Sequence, residues 1–381
     1  GVERCLFGNG KELHFKKLMD FDTIGGKSNK NGARFDLDAM YVNWLGLSLK
    51  CYLPKSENSL SYVWESLKGK ISYCNIKRLM FSSGWRYYAE IVVSGAAPTR
   101  VSIGTSTMGI DPGVSTIAGV SEDACVLEEL APNAIQYEKK IQKISQSMDR
   151  SRRISNPNKY NEDGTINRSN RDPWKYSKNY VKMCRLLKSL YRKKHAYIVD
   201  SHRELCNKLI TIAKYFPVEK MHFQALQKRA KETKRQEKKT EVKQKDGTVK
   251  VIQKYKRKKR FGRSINRRAP ARFLLELKRK AEAVGGVYAE VDTKEFKASQ
   301  YNHVTDTYEK IPLSQREKEI GKRKVQRDLY SAFLIRNADL DFKHPDREKC
   351  EYEFEYFADM QDQLILKMKE SGLSMRQCFG F

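Results

Sequence analysis

The chain has 381 residues, of which 39% are hydrophobic and 32% charged, with a mean hydropathy of −0.71. This length exceeds one typical domain and supplies enough apolar side chains for a sizeable core, so a peptide or a repeat array is excluded and two or three structural units are expected. Lys and Arg number 75 against 46 Asp and Glu, an excess of +29. Such an excess favours nucleic acid as the partner, although a solvated basic surface would give the same total.

The cysteines and the hydropathy profile bound the class of protein further. The eight cysteines lie far apart, without a Cys-x-x-Cys pair or a histidine spaced to complete a zinc site, so they are expected to be reduced thiols and no zinc is predicted. No apolar run approaches the ~18 residues of a membrane span, and no signal-like start precedes the first strands. We therefore expect a soluble, intracellular protein without membrane association.

Residues 1–105 mix short β-rich runs with turns of Gly, Asn and Ser, which predicts a small β-barrel or sandwich. The clearest runs are Leu45–Leu53 and Trp85–Val93. Three aromatic residues of the second run could stack on nucleobases, although aromatic side chains in a strand more often pack in a core: Trp85, Tyr87 and Tyr88.

From Met108 the pattern changes to that of an α/β unit. Apolar segments flank a Pro-Gly turn between Met108 and Ser121, as in a buried hairpin. Long helices with a basic face follow over Tyr137–Arg153 and Trp174–Tyr215, separated by a turn-rich loop. A further helix begins at Pro270, ends before Gly285 and leads into the strand Val287–Val291.

Two segments have unusual charge. Residues 228–268 hold 19 Lys or Arg against 4 Asp or Glu, with Asp246 and Gly247 as a predicted hairpin turn. This basic arm could be ordered on phosphates or be a disordered tail with non-specific affinity, and partial disorder is favoured. A helix is predicted over Gln326–Ala338. Residues 339–381 then hold 10 acids against 6 Lys or Arg, which predicts an acidic, aromatic helical segment.

Three carboxylates in apolar surroundings are the candidate catalytic residues: Asp111, Glu219 and Asp328. Phosphodiester hydrolysis commonly uses two Mg²⁺ ions, which need oxygen ligands carried by different elements of a rigid fold. Each acid alone also has an ordinary structural explanation. Asp111 precedes Pro-Gly as turn formers do, Glu219 could lie on a surface edge strand, and Asp328 lies near a helix start where any Asp is favoured.

Read together and in order, the segments around these acids resemble the three RuvC motifs of TnpB-type nucleases, the transposon-encoded relatives of type V CRISPR effectors. They are Gly109 to Val114 (GIDPGV), Val218 to Met221 (VEKM) with Leu226 to Arg229 (LQKR), and Gln326 to Phe333 (QRDLYSAF). The likeness runs from about residue 100 to 340 and includes Lys258 to Gly262 (KKRFG) and Lys297 to His303 (KASQYNH).

The resemblance implies an α/β RNase H-like (RuvC) nuclease domain over residues 106–340, in which Asp111, Glu219 and Asp328 hold two Mg²⁺ ions. It implies that residues 1–105 form a wedge-type β-barrel domain that binds guide RNA and helps to read a motif beside the target DNA, while base pairing reads the sequence. Cleavage would leave 5′-phosphate and 3′-hydroxyl ends. A prokaryotic cytoplasmic location follows from the same likeness, and a monomer is favoured.

Two departures from the family pattern affect this interpretation. The four-cysteine zinc finger that usually lies between the second and third motifs is absent, because residues 292–316 contain no cysteine. A metal-free target-binding loop is therefore implied. The sequence also begins at what resembles the middle of the wedge domain, without the helical recognition lobe that precedes it in the family. An incomplete chain is favoured over loss of that lobe.

If the likeness holds, basic residues on the long helices 137–215 and in the arm 228–268 contact the RNA and DNA backbones. The alternative is a merely solvated set of helix faces. The predicted contacts are Arg150, Arg152, Arg153, Arg192, Lys193, Lys194, Lys228, Arg229, Lys258, Lys259, Arg260 and Gln300.

The sequence thus predicts an RNA-guided, Mg²⁺-dependent DNA endonuclease, either TnpB-like or a compact type V effector. Two rivals are an RNA-guided DNA-binding repressor without cleavage and an unguided RNA-binding or junction-resolving protein. The presence of all three acids favours the nuclease over the repressor. The kind of guide RNA, the target-adjacent motif and the number of molecules that act together do not follow from the sequence.

Overall fold

The computed structural model describes residues 21–227, 235–243, 249–255, 261–312, 314–373 and 379. The chain forms two compact units. The first unit comprises Gly1–Arg100 and Gln136–Ala196, and the second comprises Val101–Ile135 and Tyr197–Phe381. Among the described helices, none combines the length and the apolar character that crossing a membrane requires.

The strands of the described residues are numbered in chain order. They are β1 (Thr23–Gly25), β2 (Arg34–Asp36), β3 (Tyr41–Trp44), β4 (Leu47–Lys50), β5 (Ile71–Phe81), β6 (Gly84–Val93), β7 (Ser106–Thr107), β8 (Gly109–Pro112), β9 (Thr116–Val120), β10 (Cys125–Glu129), β11 (Ala213–Glu219), β12 (Arg235–Lys243), β13 (Val249–Tyr255), β14 (Val287–Val291), β15 (Tyr301–Asn302), β16 (Thr307–Tyr308), β17 (Glu317–Ile320) and β18 (Arg323–Gln326).

The α-helices are numbered in the same way. They are α1 (Glu57–Leu67), α2 (Ala134–Ser155), α3 (Lys178–Ile212), α4 (Phe223–Gln227), α5 (Gly262–Arg268), α6 (Pro270–Ala283), α7 (Thr293–Phe296), α8 (Arg327–Arg336) and α9 (Arg347–Glu370).

The β-rich part of the first unit contains two antiparallel three-stranded sheets, in the orders β1-β5-β6 and β2-β3-β4. Within the described residues both sheets are open, because the two outer strands of each sheet pair with the central strand only. The predicted barrel is therefore not shown. The sequence interpretation also missed α1. Its aromatic residues Tyr62 and Trp64 are 40% and 44% exposed, and Leu67 is its one buried residue. Its apolar residues Leu60, Val63, Trp64 and Leu67 do recur at helical spacing. The helix was missed because it lies among the short strands that dominate residues 1–105.

The long helices α2 and α3 fall where helices were predicted, although the second ends at Ile212 and its predicted last turn is the start of β11. The loop between them is held by its own polar groups. The buried Asn156 side-chain amide donates to the carbonyls of Arg152 (2.9 Å) and Lys175 (2.8 Å) and accepts from the Lys175 amide (2.7 Å). Buried Lys159 donates to the Asn170 carbonyl at 2.9 Å. These bonds satisfy backbone groups that a loop would otherwise leave to water.

The second unit is built on one mixed sheet in the order β10-β9-β8-β11-β14, with the short β7 also paired to β11. Strands β8, β11 and β14 run parallel, while β9 is antiparallel to both β8 and β10. The buried hairpin predicted between Met108 and Ser121 corresponds to β8 and β9, and the predicted strand Val287–Val291 is β14.

Alternate residues of this sheet face two separate cores, as the two-residue repeat of a strand requires. One face packs on α3 and α6, whose Leu205, Leu209, Phe273 and Leu277 are buried. The other face packs on α8 and α9. Its members from the sheet and the helices include Ala118, Val120, Leu127, Val291, Leu329, Phe333, Phe354 and Phe357. Each buried large side chain contributes about 1.5–3 kcal/mol of burial free energy, so both faces hold the sheet firmly.

The structure describes part of the arm predicted over residues 228–268. Strands β12 and β13 form an antiparallel hairpin, with Lys243 opposite Val249, while the predicted turn lies outside the described residues. The two ends of the arm are close together. The Gln227 side-chain amide donates to the side-chain Oδ1 of Asn266 (3.3 Å), and a Cβ built on Gly262 would lie 3.7 Å from the backbone carbonyl oxygen of Gln227.

Residues 292–316, predicted to be a loop without zinc, contain α7 and the hairpin β15–β16. Asp292 caps α7 by accepting from the Lys294 amide at 2.7 Å. The buried Lys318 ammonium donates to the Tyr301 carbonyl at 2.6 Å. Buried His303 bonds to the Tyr330 hydroxyl through its Nδ1 at 2.8 Å. This segment is therefore tied to the core by polar side chains.

Helix α9 is the acidic, aromatic helix that the charge pattern of the C-terminal segment predicts. Asp346 caps its first turn by accepting from the Lys349 amide at 3.1 Å. Phe354 and Phe357 are buried against α8, whereas Tyr352 is 90% exposed. Its outer face carries acids, and Arg323 forms ion pairs with three of them: Glu355, Asp359 and Asp362.

Candidate active site

The first two candidate acids lie side by side because of the register between parallel strands. Ile110 of β8 is paired with Val218 of β11. Asp111 and Glu219 each follow the paired residue by one position, so they leave the carboxyl ends of neighbouring strands on the same face of the sheet. Each carboxyl group affects the pKa of the other, so the two side chains lie near each other.

Asp328 reaches the same place through the close contact between β8 and α8. Gly109 has no side chain, and a Cβ there would lie 2.2 Å from the Ala332 carbonyl oxygen, so strand and helix touch at this residue. From Gly109 to Asp111 the strand advances about 6.6 Å. From Ala332 back to Asp328 the helix covers about 6 Å. The strand end and the helix start therefore coincide, and the Asp328 charge acts on both other acids.

The two contacting acids cannot both be charged at low cost. Burial raises the pKa of Asp111 well above its usual value, and the negative charges of Glu219 and Asp328 raise it further. Burial also raises the pKa of Glu219, with the charge of Asp328 adding to the effect. Two half-buried carboxyl groups placed side by side are costly to ionise together. A cation that binds here would offset their repulsion.

Two arginines neutralise the third acid. Arg327 donates to Asp328 Oδ1 through Nε (3.1 Å) and Nη2 (2.8 Å), while Arg316 donates to Oδ2 through Nη1 (3.2 Å). The Asp328 side chain is only 13% exposed, so its charge needs these partners. Neither arginine was assigned a role from the sequence. Arg327 lies beside Asp328 in the motif, and that adjacency was the available signal.

The structural explanations considered for each acid do not describe this geometry. The turn after Asp111 is closed by a backbone bond from Gly113 to Thr116. Glu219 lies on β11, which is flanked by β8 and β14 and so is not an edge strand. The cap of α8 is Gln326, whose side chain accepts from the Leu329 amide at 2.7 Å, and not Asp328.

The donor set suits a hard divalent cation, because it offers carboxylate oxygens from three separate elements. The repulsion between the negative charges of Asp111 and Glu219 marks a position where positive charge is favourable. The acids do not yet form a complete cage. Within the described part of the chain, no group of three or more His, Cys, Asp or Glu side chains is arranged to hold a metal ion. Asp328 is turned to its arginines instead.

Most of the predicted nucleic-acid contacts on the long helices are engaged within the first unit. Arg152 and Arg153 both pair with Asp149, at 2.9 and 2.8 Å. Arg192 donates to the Met80 carbonyl at 3.2 Å and lies over the Phe81 ring. Lys194 pairs with Glu138 at 2.8 Å.

Two of the predicted contacts on these helices, Arg150 and Lys193, are exposed and face solvent. Gln300 is half-buried, and its backbone carbonyl accepts from the Glu309 amide at 2.8 Å. The remaining predicted contacts lie outside the described residues: Lys228, Arg229, Lys258, Lys259 and Arg260.

The first unit also contains a cleft of about 1370 Å³ with exposed aromatic side chains on its rim. Tyr52 is 87% exposed, Tyr87 68% and Tyr88 43%. Hence the expectation that Tyr87 and Tyr88 pack in a core is wrong, whereas Trp85 is held between Arg78 (4.4 Å) and Lys188 (4.6 Å). Lys50, Lys68 and Arg86 also line the cleft. Tyr52 was missed because one aromatic residue after a short strand gives no pattern.

Comparison with known proteins finds distant likenesses. No protein-family model matches the chain, and no curated protein does. The cryo-EM structure of a Cas12f1–sgRNA–target DNA complex is 13% identical with a TM-score of 0.44, covering 74% of this chain and 48% of that one. The cryo-EM structure of a CRISPR-Cas12f ternary complex is 13% identical with a TM-score of 0.35, covering 83% and 51%. The chain spans about half the length of each, and likenesses this distant carry no weight for its activity.

Proposed function

We propose that this chain is an RNA-guided DNA endonuclease with one RuvC-like active site, formed by Asp111, Glu219 and Asp328. The observation that carries the proposal is the convergence of these acids, which are far apart in sequence, at the carboxyl ends of β8 and β11 and the start of α8. Function is argued from such a site and not from the fold alone.

The topology of the second unit supports an RNase H-like fold. If its strands are numbered along the chain from β8, their order across the sheet is 3-2-1-4-5. The second strand, β9, is antiparallel to both of its neighbours, while the first, fourth and fifth strands are parallel. The acids lie on the first strand, the fourth strand and the helix packed against the first strand. That placement agrees with the RuvC-type motifs in the sequence.

Two Mg²⁺ ions, when bound, would supply an activated water and stabilise the leaving oxygen of a phosphodiester. The carboxylates of Asp111, Glu219 and Asp328 would hold them. Arg327 fixes the orientation of Asp328 through two hydrogen bonds to Oδ1. The buried face beneath the acids, which includes Ala118 and Val291, keeps bulk water from their inner side.

The guided part of the proposal rests on charge and on the motif likeness. An excess of +29 charges suits a long polyanion such as a guide RNA paired with its DNA target. The exposed Arg150 and Lys193, with the aromatic cleft of the first unit, provide surfaces for phosphates and unpaired bases. TnpB-like nucleases and compact type V effectors both fit this description.

The test is guided cleavage by acid-to-amide variants. The chain is purified with its bound RNA, that RNA is sequenced, and a labelled duplex matching it is incubated with Mg²⁺. We expect Asp111→Asn, Glu219→Gln and Asp328→Asn each to lower the cleavage rate by more than about 10²-fold while DNA binding persists. Glu290→Gln is the matched control, because this exposed acid on the same sheet pairs with Lys220 at 3.2 Å. Undiminished cleavage by Asp111→Asn would remove the assignment.

A guided DNA-binding protein without cleavage is the second candidate. The observation in its favour is that Asp328 is neutralised by Arg316 and Arg327 and does not face an open ligand position. This second function predicts a specific bound RNA and tight binding of the matching duplex, with no cleavage in either Mg²⁺ or Mn²⁺.

A further inference from the structure

The two arginines on Asp328 differ in how firmly they are held. Arg327 is 10% exposed, donates twice to Oδ1 and also donates to the Gln315 carbonyl at 3.3 Å. Arg316 is 27% exposed, and among the described residues its guanidinium makes one hydrogen bond, from Nη1 to Asp328 Oδ2 at 3.2 Å. Arg316 is therefore the arginine that can leave Asp328 without breaking other contacts.

The position of Arg316 conflicts with the proposed use of Asp328. A guanidinium on Oδ2 and a divalent cation on the same oxygen repel each other and cannot share it. Both oxygens of Asp328 accept from an arginine, Oδ1 from Arg327 and Oδ2 from Arg316. A cation therefore meets a guanidinium at either oxygen of Asp328 until one arginine moves.

We propose that Arg316 is a latch that couples nucleic-acid binding to metal loading, an inference that rests on the proposed function. Without nucleic acid, the Arg316 guanidinium occupies Asp328 Oδ2 and lowers the affinity of the site for divalent cations. When a nucleic-acid strand enters, the guanidinium transfers to a backbone phosphate, which accepts from arginine in the same two-pronged geometry as a carboxylate. Oδ2 then becomes available to a cation.

Coupling of this kind is reciprocal. If a strand raises the affinity for the cation, the cation raises the affinity for the strand by the same factor. Couplings between two sites typically amount to about 5- to 150-fold. The latch would keep the acids from holding cations in the resting protein, so that the hydrolytic site is completed only on a bound strand.

The test measures Mn²⁺ binding and not cleavage. Free Mn²⁺ is followed by electron paramagnetic resonance during titration of the full chain, in the absence of added DNA and with a single-stranded DNA oligonucleotide whose own Mn²⁺ uptake is subtracted. Without DNA, we expect Arg316→Gln to bind Mn²⁺ about tenfold more tightly than the wild type. DNA should raise the affinity of the wild type to that of the variant and leave the variant unchanged.

The matched control is Arg323→Gln, which removes the same charge from the same hairpin. Arg316 directly precedes β17, whereas Arg323 begins β18 and forms ion pairs with acids of α9 and not with Asp328. It should behave as the wild type does. Arg316→Lys keeps the charge and should remain latched, which separates the effect from misfolding. Equal Mn²⁺ affinity of the wild type and Arg316→Gln without DNA would overturn the latch, even if guided cleavage is observed. Absence of cleavage with normal coupling would instead overturn the proposed function.

Discussion

Replacing Gly109 with alanine tests whether the contact between β8 and α8 sets the position of Asp328. A Cβ at this residue would lie 2.2 Å from the Ala332 carbonyl oxygen and 2.3 Å from the Arg336 amide nitrogen. Both neighbours are backbone atoms, so no side chain can rotate away. Restoring a contact of 3.4 Å requires strand and helix to separate by about 1 Å.

The expected cost has two parts. Overpacking of a well-packed core typically costs about 1–3 kcal/mol. A displacement of about 1 Å in a catalytic group can lower a rate about 10²-fold. Gly109→Ala should therefore weaken the packing of α8 and, on the proposed function, lower guided cleavage by about two orders of magnitude, although no acid is changed.

Amide hydrogen exchange of α8 is the appropriate assay, because the chain has two units and a single unfolding temperature would mix them. The control is Gly119→Ala on the adjacent strand β9. Its Cβ would lie 3.1 Å from the Met108 sulfur, the mobile end of a flexible side chain in the opposite core. We expect that change to cost less than about 1 kcal/mol. Identical exchange of α8 in the two variants would refute the packing argument.

Three further predictions concern charge. In the metal-free protein, Asp111→Asn should raise the free energy of unfolding by about 1–2 kcal/mol at pH 7–8, because the raised pKa of this acid beside Glu219 means that folding favours its protonated form. Urea unfolding followed by a probe in the second unit should show the gain vanish below about pH 3, where Asp111 is protonated in both the folded and the unfolded state. Burial lowers the pKa of Lys318 to about 8, so between pH 8 and 10.5 the unfolded chain keeps a proton that the folded chain loses. Over that range the free energy of unfolding of the wild type should rise by up to about 3 kcal/mol relative to that of Lys318→Met. A difference between the two proteins that does not change with pH would contradict this. Lys193→Gln should reduce the slope of log affinity for RNA against log salt by about 1, whereas Lys194→Gln, which breaks the pair with Glu138, should leave that slope unchanged in filter binding.

The sequence was a good guide where apolar segments are bounded by clear turn or cap signals. The apolar segments on either side of the Pro-Gly turn between Met108 and Ser121 predict a hairpin, and the helix after Pro270 has both a start and a stop signal. Helix α1 has a helical repeat in Leu60, Val63, Trp64 and Leu67, but the strand-like runs around it favoured a β-only interpretation of residues 1–105.

The three acids could be selected from the sequence, but their surroundings could not. Motif order identified Asp111, Glu219 and Asp328, while each alone had an ordinary structural explanation. The contact of Arg316 with Asp328 depends on how the hairpin β17–β18 places a residue beside α8, which no spacing in the sequence encodes. Likewise, basic residues on a helix do not reveal which of them pair internally, as Lys194 does with Glu138.

Because the two ends of the arm lie close together, the arm is a suitable place to shorten the second unit or to insert another segment. Gln227, where the arm begins, lies beside Gly262 and Asn266, where it ends. The length of the arm therefore does not set the geometry of the sheet. Doubling the length of such a loop costs only about 0.6 kcal/mol of closure entropy. A short glycine-serine bridge, or a ligand-responsive guest domain, could thus be grafted there without moving the strands that carry Asp111 and Glu219.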